Sequence, residues 1–162
     1  MMEPFMGARR FDETSSRPRS LTGRVLIVDD EEDLCWTLTK ILQDEDLNYH
    51  VLFAHTGKAA LRHLQKDKNI RLALLDVRLP DLGEAGGLAL LKKVKRLRPK
   101  MPIILMSAFG SHPVKTQAKR LGAVAFLDKP FRVEKLLKLI RETMGEAVTS
   151  GSSIVKMWKA KN

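Results

Sequence analysis

The stretch Leu72-Ala73-Leu74-Leu75-Asp76 decides the fold, because it is an apolar run of strand length that ends on a carboxylate, with Pro80 shortly after it. Three other short apolar runs also lead to polar groups: residues 25–28 precede an acidic pair, residues 103–106 precede a serine, and residues 125–127 lead to a lysine. In an open parallel sheet the carboxyl ends of the strands lie along one edge, so these groups are expected to converge there.

The polar groups expected at this edge are three carboxylates, a hydroxyl and an ammonium, from Asp29, Asp30, Asp76, Ser107 and Lys129. Carboxylate oxygens are preferred ligands of a hard cation such as Mg²⁺, and a compact ammonium suits a phosphoryl oxygen. The set therefore indicates a site for a hard cation and phosphoryl transfer. Under a competing interpretation Asp29 or Asp30 caps the following helix, but a cap explains neither Asp76 nor Lys129.

Short apolar runs alternate with amphipathic stretches from Arg24 onward, which is typical of βα units around a parallel sheet. Strands are predicted near residues 24–29, 49–54, 71–76, 101–107 and 123–127. Helices are predicted near residues 32–44, 57–67, 86–98, 113–121 and 131–144. Trp36 and Leu38 are expected to pack the first helix against the sheet.

The chain of 162 residues is long enough for one domain with a full core. Residues 1–23 are predicted to form a flexible basic N-terminal arm, residues 24–145 the domain, and residues 146–162 a C-terminal linker and tail. Within that tail, residues 154–159 combine apolar side chains with lysines. A small docking element and an unattached tail both remain open interpretations of this segment.

Composition excludes several classes of protein. The lone Cys35 excludes an intrachain disulfide framework, and no apolar run approaches the roughly 18 residues of a membrane span. Arg9-Arg10-Phe11 resembles a twin-arginine export signal, but the residues that follow are polar, so a cytoplasmic protein without a membrane partner is predicted. The net charge of +10 is interpreted first as solvated basic helix faces, with nucleic acid not expected as a partner.

Five motifs in order resemble the receiver domain of bacterial two-component response regulators. They are Val-Asp-Asp at 28–30, Asp-Val-Arg-Leu-Pro-Asp at 76–81, Met-Ser-Ala at 106–108, Gly-Ala at 122–123 and Lys-Pro-Phe at 129–131. The resemblance covers about residues 24–144, and the motif sequences are most similar to those of receivers of the nitrogen-regulator type. It implies a CheY-like, flavodoxin-like doubly wound (βα)5 fold, with a five-stranded parallel sheet in the strand order 2-1-3-4-5.

The resemblance assigns the acceptor and the cofactor. Asp76 would take a phosphoryl group from a sensor histidine kinase or a histidine phosphotransfer protein. Mg²⁺ would be the cofactor, with Asp29, Asp30, Asp76 and the backbone carbonyl of Arg78 as its ligands. The chain would catalyse only its own phosphorylation and dephosphorylation, and would otherwise not be an enzyme.

The resemblance also implies how phosphorylation is sensed. Lys129 would contact a phosphoryl oxygen, with a cis peptide bond to Pro130, and Ser107 would donate its hydroxyl to the same group. Phe126 occupies the family's aromatic switch position, although a plain core or edge phenylalanine is an alternative. The loop at residues 81–87 is longer than usual for the family, and it is expected to be flexible.

The output surface is expected on the fourth helix, fifth strand and fifth helix, where basic residues prevail. Such a face favours an acidic protein partner and a monomeric state, because like charges oppose self-pairing.

The preferred interpretation is a stand-alone single-domain regulator that acts through a phosphorylation-dependent protein contact. A receiver cut from a longer transcription regulator is the first alternative. A phosphohydrolase of the haloacid-dehalogenase type is more remote, because it needs Asp-x-Asp where this chain has Asp76-Val77-Arg78. A nucleotide-binding module lacks its glycine-rich loop here, since acidic residues follow the first strand.

Overall fold

The computed structural model describes residues 23–43 and 49–145, where five strands alternate with five helices. Apart from Gly23, the predicted N-terminal arm lies outside the described residues, as does the predicted C-terminal tail. The strands are β1 (Arg24–Val28), β2 (His50–Ala54), β3 (Ile70–Asp76), β4 (Ile103–Ser107) and β5 (Ala125–Asp128). The helices are α1 (Glu32–Leu42), α2 (Gly57–Lys66), α3 (Gly86–Leu97), α4 (His112–Arg120) and α5 (Val133–Met144).

All strand pairs are parallel, and the strand order is β2-β1-β3-β4-β5, as the resemblance implies. The inner strands β1, β3 and β4 are almost entirely buried, which explains their continuous apolar runs in place of an alternating pattern. The strand order changes direction between β1 and β3, because β2 is added on one side of β1 and β3 to β5 are added on the other. This point is where open α/β sheets place their sites, at the carboxyl ends of the strands.

Helices cover both faces of the sheet. Helices α1 and α5 pack on one face, and α2, α3 and α4 pack on the other. Leu38 of α1 is buried, as predicted. Trp36 of the same helix is 65% exposed, so the prediction that it packs the helix against the sheet is wrong. The buried stripe of α1 consists of Cys35, Leu38 and Leu42, and Trp36 lies beside that stripe on the helix circumference.

The loop after β3 is attached to α2. Its Pro80–Leu82 segment forms a 3₁₀ turn, and the Asp81 carboxylate accepts the backbone N–H groups of Gly57 at 3.0 Å and Lys58 at 3.2 Å. A carboxylate at a helix N-terminus is favourable, because the free N–H groups there carry partial positive charge. The structure therefore holds this loop by side-chain bonds, where the sequence alone suggested a flexible segment.

No helix in the described ranges is both long and apolar enough to cross a membrane.

Gly87 places α3 directly against the strand that carries Asp76. Its N–H donates to the Val77 carbonyl at 2.8 Å, and a Cβ atom at this position would lie 2.1 Å from the Asp76 carbonyl oxygen. Since that neighbour is backbone of a buried strand, it cannot move aside as a flexible side chain could. A glycine is therefore required here by close packing.

We expect Gly87→Ala to lower the free energy of unfolding by about 1–3 kcal/mol, because the added methyl group overpacks the contact between α3 and β3. Urea unfolding would measure this change. Ala89→Ser, at an exposed position of the same helix, is the control and should cost no more than about 0.5 kcal/mol. Equal urea midpoints for Gly87→Ala and wild type would contradict the close packing.

Candidate functional site

Three carboxylates meet at the carboxyl ends of β1 and β3. One oxygen atom from each of Asp29, Asp30 and Asp76 lies within 4.8 Å of the others. Asp29 and Asp76 are buried, at 0% and 5% exposure, whereas Asp30 is exposed to solvent. The predicted acidic set is therefore brought together, and its oxygen donors are of the kind that a hard cation prefers.

The Asp29 carboxylate is fixed by its own loop, because it accepts the Glu31 N–H at 3.0 Å. Helix α1 begins without a side-chain cap, so neither Asp29 nor Asp30 caps it. The capping interpretation of the acidic pair is wrong. The acids instead point their oxygens toward the end of β3.

Lys129 joins the cluster from the end of β5. Its Nζ lies 2.6 Å from Asp29 Oδ2, 3.1 Å from Glu31 Oε1 and 3.6 Å from Asp76 Oδ2. The Lys129–Pro130 bond is cis, as the resemblance implies, and the Lys129 N–H donates to the Ser107 carbonyl at 2.8 Å. One ammonium thus faces three carboxylates, which leaves the site with an excess of negative charge that suits a divalent cation.

Burial and the Asp29 charge raise the pKa of Asp76 from 3.8 to about 6, although Lys129 and the Arg78 N–H oppose the change. For Lys129, burial by itself would lower the pKa, but the hydrogen bond to Asp29 and the charges of Asp29 and Asp76 outweigh it and raise the pKa. Asp76 is therefore ionised at neutral pH at an energetic cost that a bound cation would reduce.

Ser107 ends β4 and is buried, at 1% exposure. Its Oγ accepts the Phe109 N–H at 3.0 Å. Because Asp76 pairs with Met106 in the sheet register, Ser107 lies one residue further along the neighbouring strand. Its predicted role toward a phosphoryl group stays a prediction.

Phe126 on β5 is half-buried and packs at the edge of the core. Lys115 Nζ lies 5.5 Å from the centre of its ring and 2.7 Å from Asp128 Oδ2. A Cβ atom at Gly110 would lie 2.6 Å from the ring, so the absence of a side chain there allows this position. The switch role of Phe126 stays a prediction, and the structure adds Lys115 and Gly110 as its neighbours.

A pocket of about 210 Å³ opens over Asp76, and its lining includes Asp30, Lys129 and Arg78. The Arg78 guanidinium lies 6.0 Å from the centre of the Phe109 ring, and Phe109 is 72% exposed. These two side chains flank the site without closing it. An incoming group can therefore reach Asp76 from solvent, and the ligand role of the Arg78 carbonyl stays a prediction.

Sequence reasoning missed two residues beside the site. Glu31 pairs with Lys129, and His55 Nδ1 lies 3.0 Å from the Asp29 carbonyl oxygen. Glu31 adjoins the acidic pair in the sequence, which could have marked it, but a contact with a lysine 98 residues away depends on the folded sheet. Nothing in the sequence around His55 marks it as a residue beside the site, because it simply follows the end of the edge strand β2.

We expect Asp76→Asn to stabilise the metal-free protein at about pH 8, by an amount on the order of 1–3 kcal/mol. The folded-state pKa of about 6 lies above 3.8, so the ionised carboxylate destabilises the fold above about pH 6. This penalty disappears as the pH falls from about 6 toward 3.8. Urea unfolding in chelator at about pH 8 and about pH 4.5 should show a clearly larger advantage of Asn at the higher pH.

Asp67→Asn is the control of opposite sign. A hydrogen bond from Arg24 lowers the pKa of Asp67, so this substitution should destabilise the protein at neutral pH. An Asp76→Asn protein that is less stable than wild type at both pH values would show that the buried charge is not the dominant cost.

Comparison with known proteins identifies the family of this chain. Residues 25–141 match the family model described as the response regulator receiver domain. The chain is 32% identical over 130 residues to the transcriptional regulatory protein ZraR of Salmonella typhimurium, covering 80% of this chain and 28% of that protein. It is 37% identical over 117 residues to a putative response regulator, NtrX-like, of Rickettsia bellii, covering 72% of this chain and 24% of that protein.

A solved structure shows the same fold. The response regulator receiver domain protein (CheY-like) from Methanospirillum hungatei superposes with a TM-score of 0.70 at 32% identity, covering 76% of this chain and 94% of that one. The chain thus spans about a quarter of the two curated relatives but nearly all of this structure. Since the family model covers most of the chain, the protein belongs to the response regulator receiver domain family of two-component systems.

Proposed function

We propose that Asp76 accepts a phosphoryl group from a histidine kinase or a histidine phosphotransfer protein, with Mg²⁺ as the cofactor. The observation that carries this proposal is the position of Asp76. It is buried at the base of an open pocket, beside two further carboxylates and within 3.6 Å of a lysine ammonium. Few structural roles require that arrangement, because it concentrates like charges that the fold must stabilise.

In the proposed reaction an Asp76 carboxylate oxygen attacks the phosphorus of a phosphohistidine. The new O–P bond forms as the P–N bond breaks, and the imidazole nitrogen leaves with the electron pair and takes up a proton. Asp29, Asp30 and Asp76 would hold Mg²⁺, which would supply positive charge against the repulsion between carboxylate and phosphoryl group.

Lys129 would interact with the product. It already lies against the Asp76 carboxylate, so a phosphoryl oxygen on Asp76 falls within its range. The Ser107 hydroxyl oxygen accepts the Phe109 N–H. The hydroxyl proton of Ser107 is therefore available to donate to a phosphoryl oxygen on Asp76. The chain would act as a phosphoacceptor that promotes its own phosphorylation and dephosphorylation, not as an enzyme that turns over a separate substrate.

The relatives favour a second candidate function. Both are several times longer than the matched segment, and one is named a transcriptional regulatory protein, so the same phosphoacceptor could serve as the receiver part of a longer transcription regulator. A stand-alone regulator would instead signal through its own surface. Sequencing the natural reading frame beyond the Asn162 codon distinguishes the two.

We expect acetyl phosphate and Mg²⁺ to add one phosphoryl group to wild-type protein, detected by intact mass spectrometry. Asp76→Asn should abolish the addition, because the nucleophile is gone, and chelator should abolish it in wild type. Asp30→Ala should raise the Mg²⁺ concentration needed by about tenfold or more, because one oxygen ligand is lost.

Asp33→Asn is the matched control, since Asp33 is an exposed acid of the same run outside the three-carboxylate cluster. It should be phosphorylated like wild type. Labelling that survives Asp76→Asn, or that proceeds unchanged in chelator, would refute the site assignment.

We further infer that output runs through the face formed by α4, β5 and α5, and that this face binds an acidic protein. Its acids are already engaged locally: Asp128 bonds Lys115 at 2.7 Å, and Glu142 lies 3.8 Å from Lys138. Within the described ranges, no acid pairs with the exposed bases Lys119, Arg120 and Lys135. Two such faces would repel each other, so a monomer is expected after phosphorylation.

Sedimentation velocity of the phosphorylated protein at micromolar concentration should show a monomer. Binding to poly-glutamate, used as an acidic probe, should weaken with salt and be lost in Lys119→Glu/Lys135→Glu. Lys92→Glu/Lys93→Glu, at exposed positions of α3, is the charge-matched control and should retain binding. A tight phosphorylation-dependent dimer would contradict the inference.

A further inference from the structure

A groove of about 670 Å³ lies between α1 and the edge strand β2, apart from the acidic pocket. Its walls include Trp36 and Phe53, which are 65% and 51% exposed. The Phe53 ring contacts His55, with 5.3 Å between ring centres, and Lys40 Nζ lies 5.2 Å from the centre of the Trp36 ring. Grouped exposed aromatic side chains of this kind mark surfaces that bind a partner.

The groove combines an apolar interior with an acidic rim. Glu32 and Asp33 line it, both are exposed, and neither has an ion pair with a base in the described part of the chain. Cys35 lies beneath as a buried thiol, whose pKa burial and the Asp29 charge raise to about 11, so it contributes no charge. Such a groove fits an occupant with apolar side chains and interspersed bases.

Residues 154–159 of this chain have that composition, Ile-Val-Lys-Met-Trp-Lys. Lys161 follows, and residues 147–162 contain no acid. The residues directly before it, 149–153, are Thr-Ser-Gly-Ser-Ser, which carry only small side chains.

The chain length permits contact within one molecule. Helices α1 and α5 pack on the same face of the sheet, and the described chain ends one residue past Met144. Reaching the groove requires about one strand length along the sheet, roughly 17 Å, and about two strand spacings across it, roughly 10 Å. The eight residues 146–153 can span about 26–29 Å when extended, so residues 154–159 can lie in the groove.

We propose that residues 154–159 dock into the groove between α1 and β2 of their own molecule. Trp158 lies against Trp36 and Phe53, and Lys156 and Lys159 face Glu32 and Asp33. The contact needs no phosphorylation, so it stands or falls independently of the proposed function. Since His55 also lies against the Asp29 carbonyl, the docked segment would sit directly beside the acidic pocket.

Tryptophan fluorescence tests this contact, because the chain has two tryptophans, Trp36 and Trp158. The full-length Trp36→Phe protein keeps an aromatic wall and leaves Trp158 as the sole reporter. We expect its emission to be blue-shifted and protected from acrylamide. Adding Phe53→Ser should cause a red shift and loss of protection, whereas adding Leu97→Ser, at an exposed apolar position of α3, should change neither.

A second variant leaves the groove untouched. Lys156→Glu/Lys159→Glu in the Trp36→Phe background should also expose Trp158, and salt should have the same effect. Protection should be constant over about a hundredfold range of protein concentration, because mass action does not affect an intramolecular contact. Concentration-dependent protection would assign the contact to two copies, and quenching equal to that of free N-acetyltryptophanamide would mean no docking; either result overturns the proposal.

Discussion

The repulsion among carboxylates at the ends of β1 and β3 is the constraint on which the rest of the site depends. Asp29 is fully buried and Asp76 nearly so, and their negative charges disfavour each other. Lys129 offsets part of this repulsion by lying 2.6 Å from Asp29. Burial and the Asp29 charge nevertheless keep the pKa of Asp76 raised, and its carboxylate faces an open pocket. The site thus carries an excess of negative charge, which is the condition under which a divalent cation gains most from binding.

Much of this site follows from the sequence, because strand ends are visible there. Asp29, Asp76, Ser107 and Lys129 each follow an apolar run, and parallel strands bring such positions to one edge. Strand starts were harder to predict: β4 begins at Ile103, not at residue 101, since Pro102 has no N–H for the sheet ladder.

Contacts made by the folded surface could not be predicted from local patterns. Asp81 bonds the start of α2 across 24 residues, and nothing nearby in the sequence marks that partner. Trp36 was expected in the core because it is large and apolar, but its angle on the helix decides its exposure. Hydrophobicity alone therefore cannot assign it to a core, and the helical stripe of α1 is the better guide.

A short series of contacts connects the acidic site with the face formed by α4, β5 and α5. The Lys129 N–H donates to the Ser107 carbonyl, so the ends of β4 and β5 are tied together at the site. β5 also carries Phe126 and Asp128, both of which contact Lys115 on α4. Under the proposed function, a displacement of Ser107 or Lys129 toward a phosphoryl group on Asp76 would reach Lys115 through these contacts of β5. Gly110 belongs to the same local cluster, because the Phe126 ring packs so closely against it that a Cβ atom there would lie 2.6 Å from the ring.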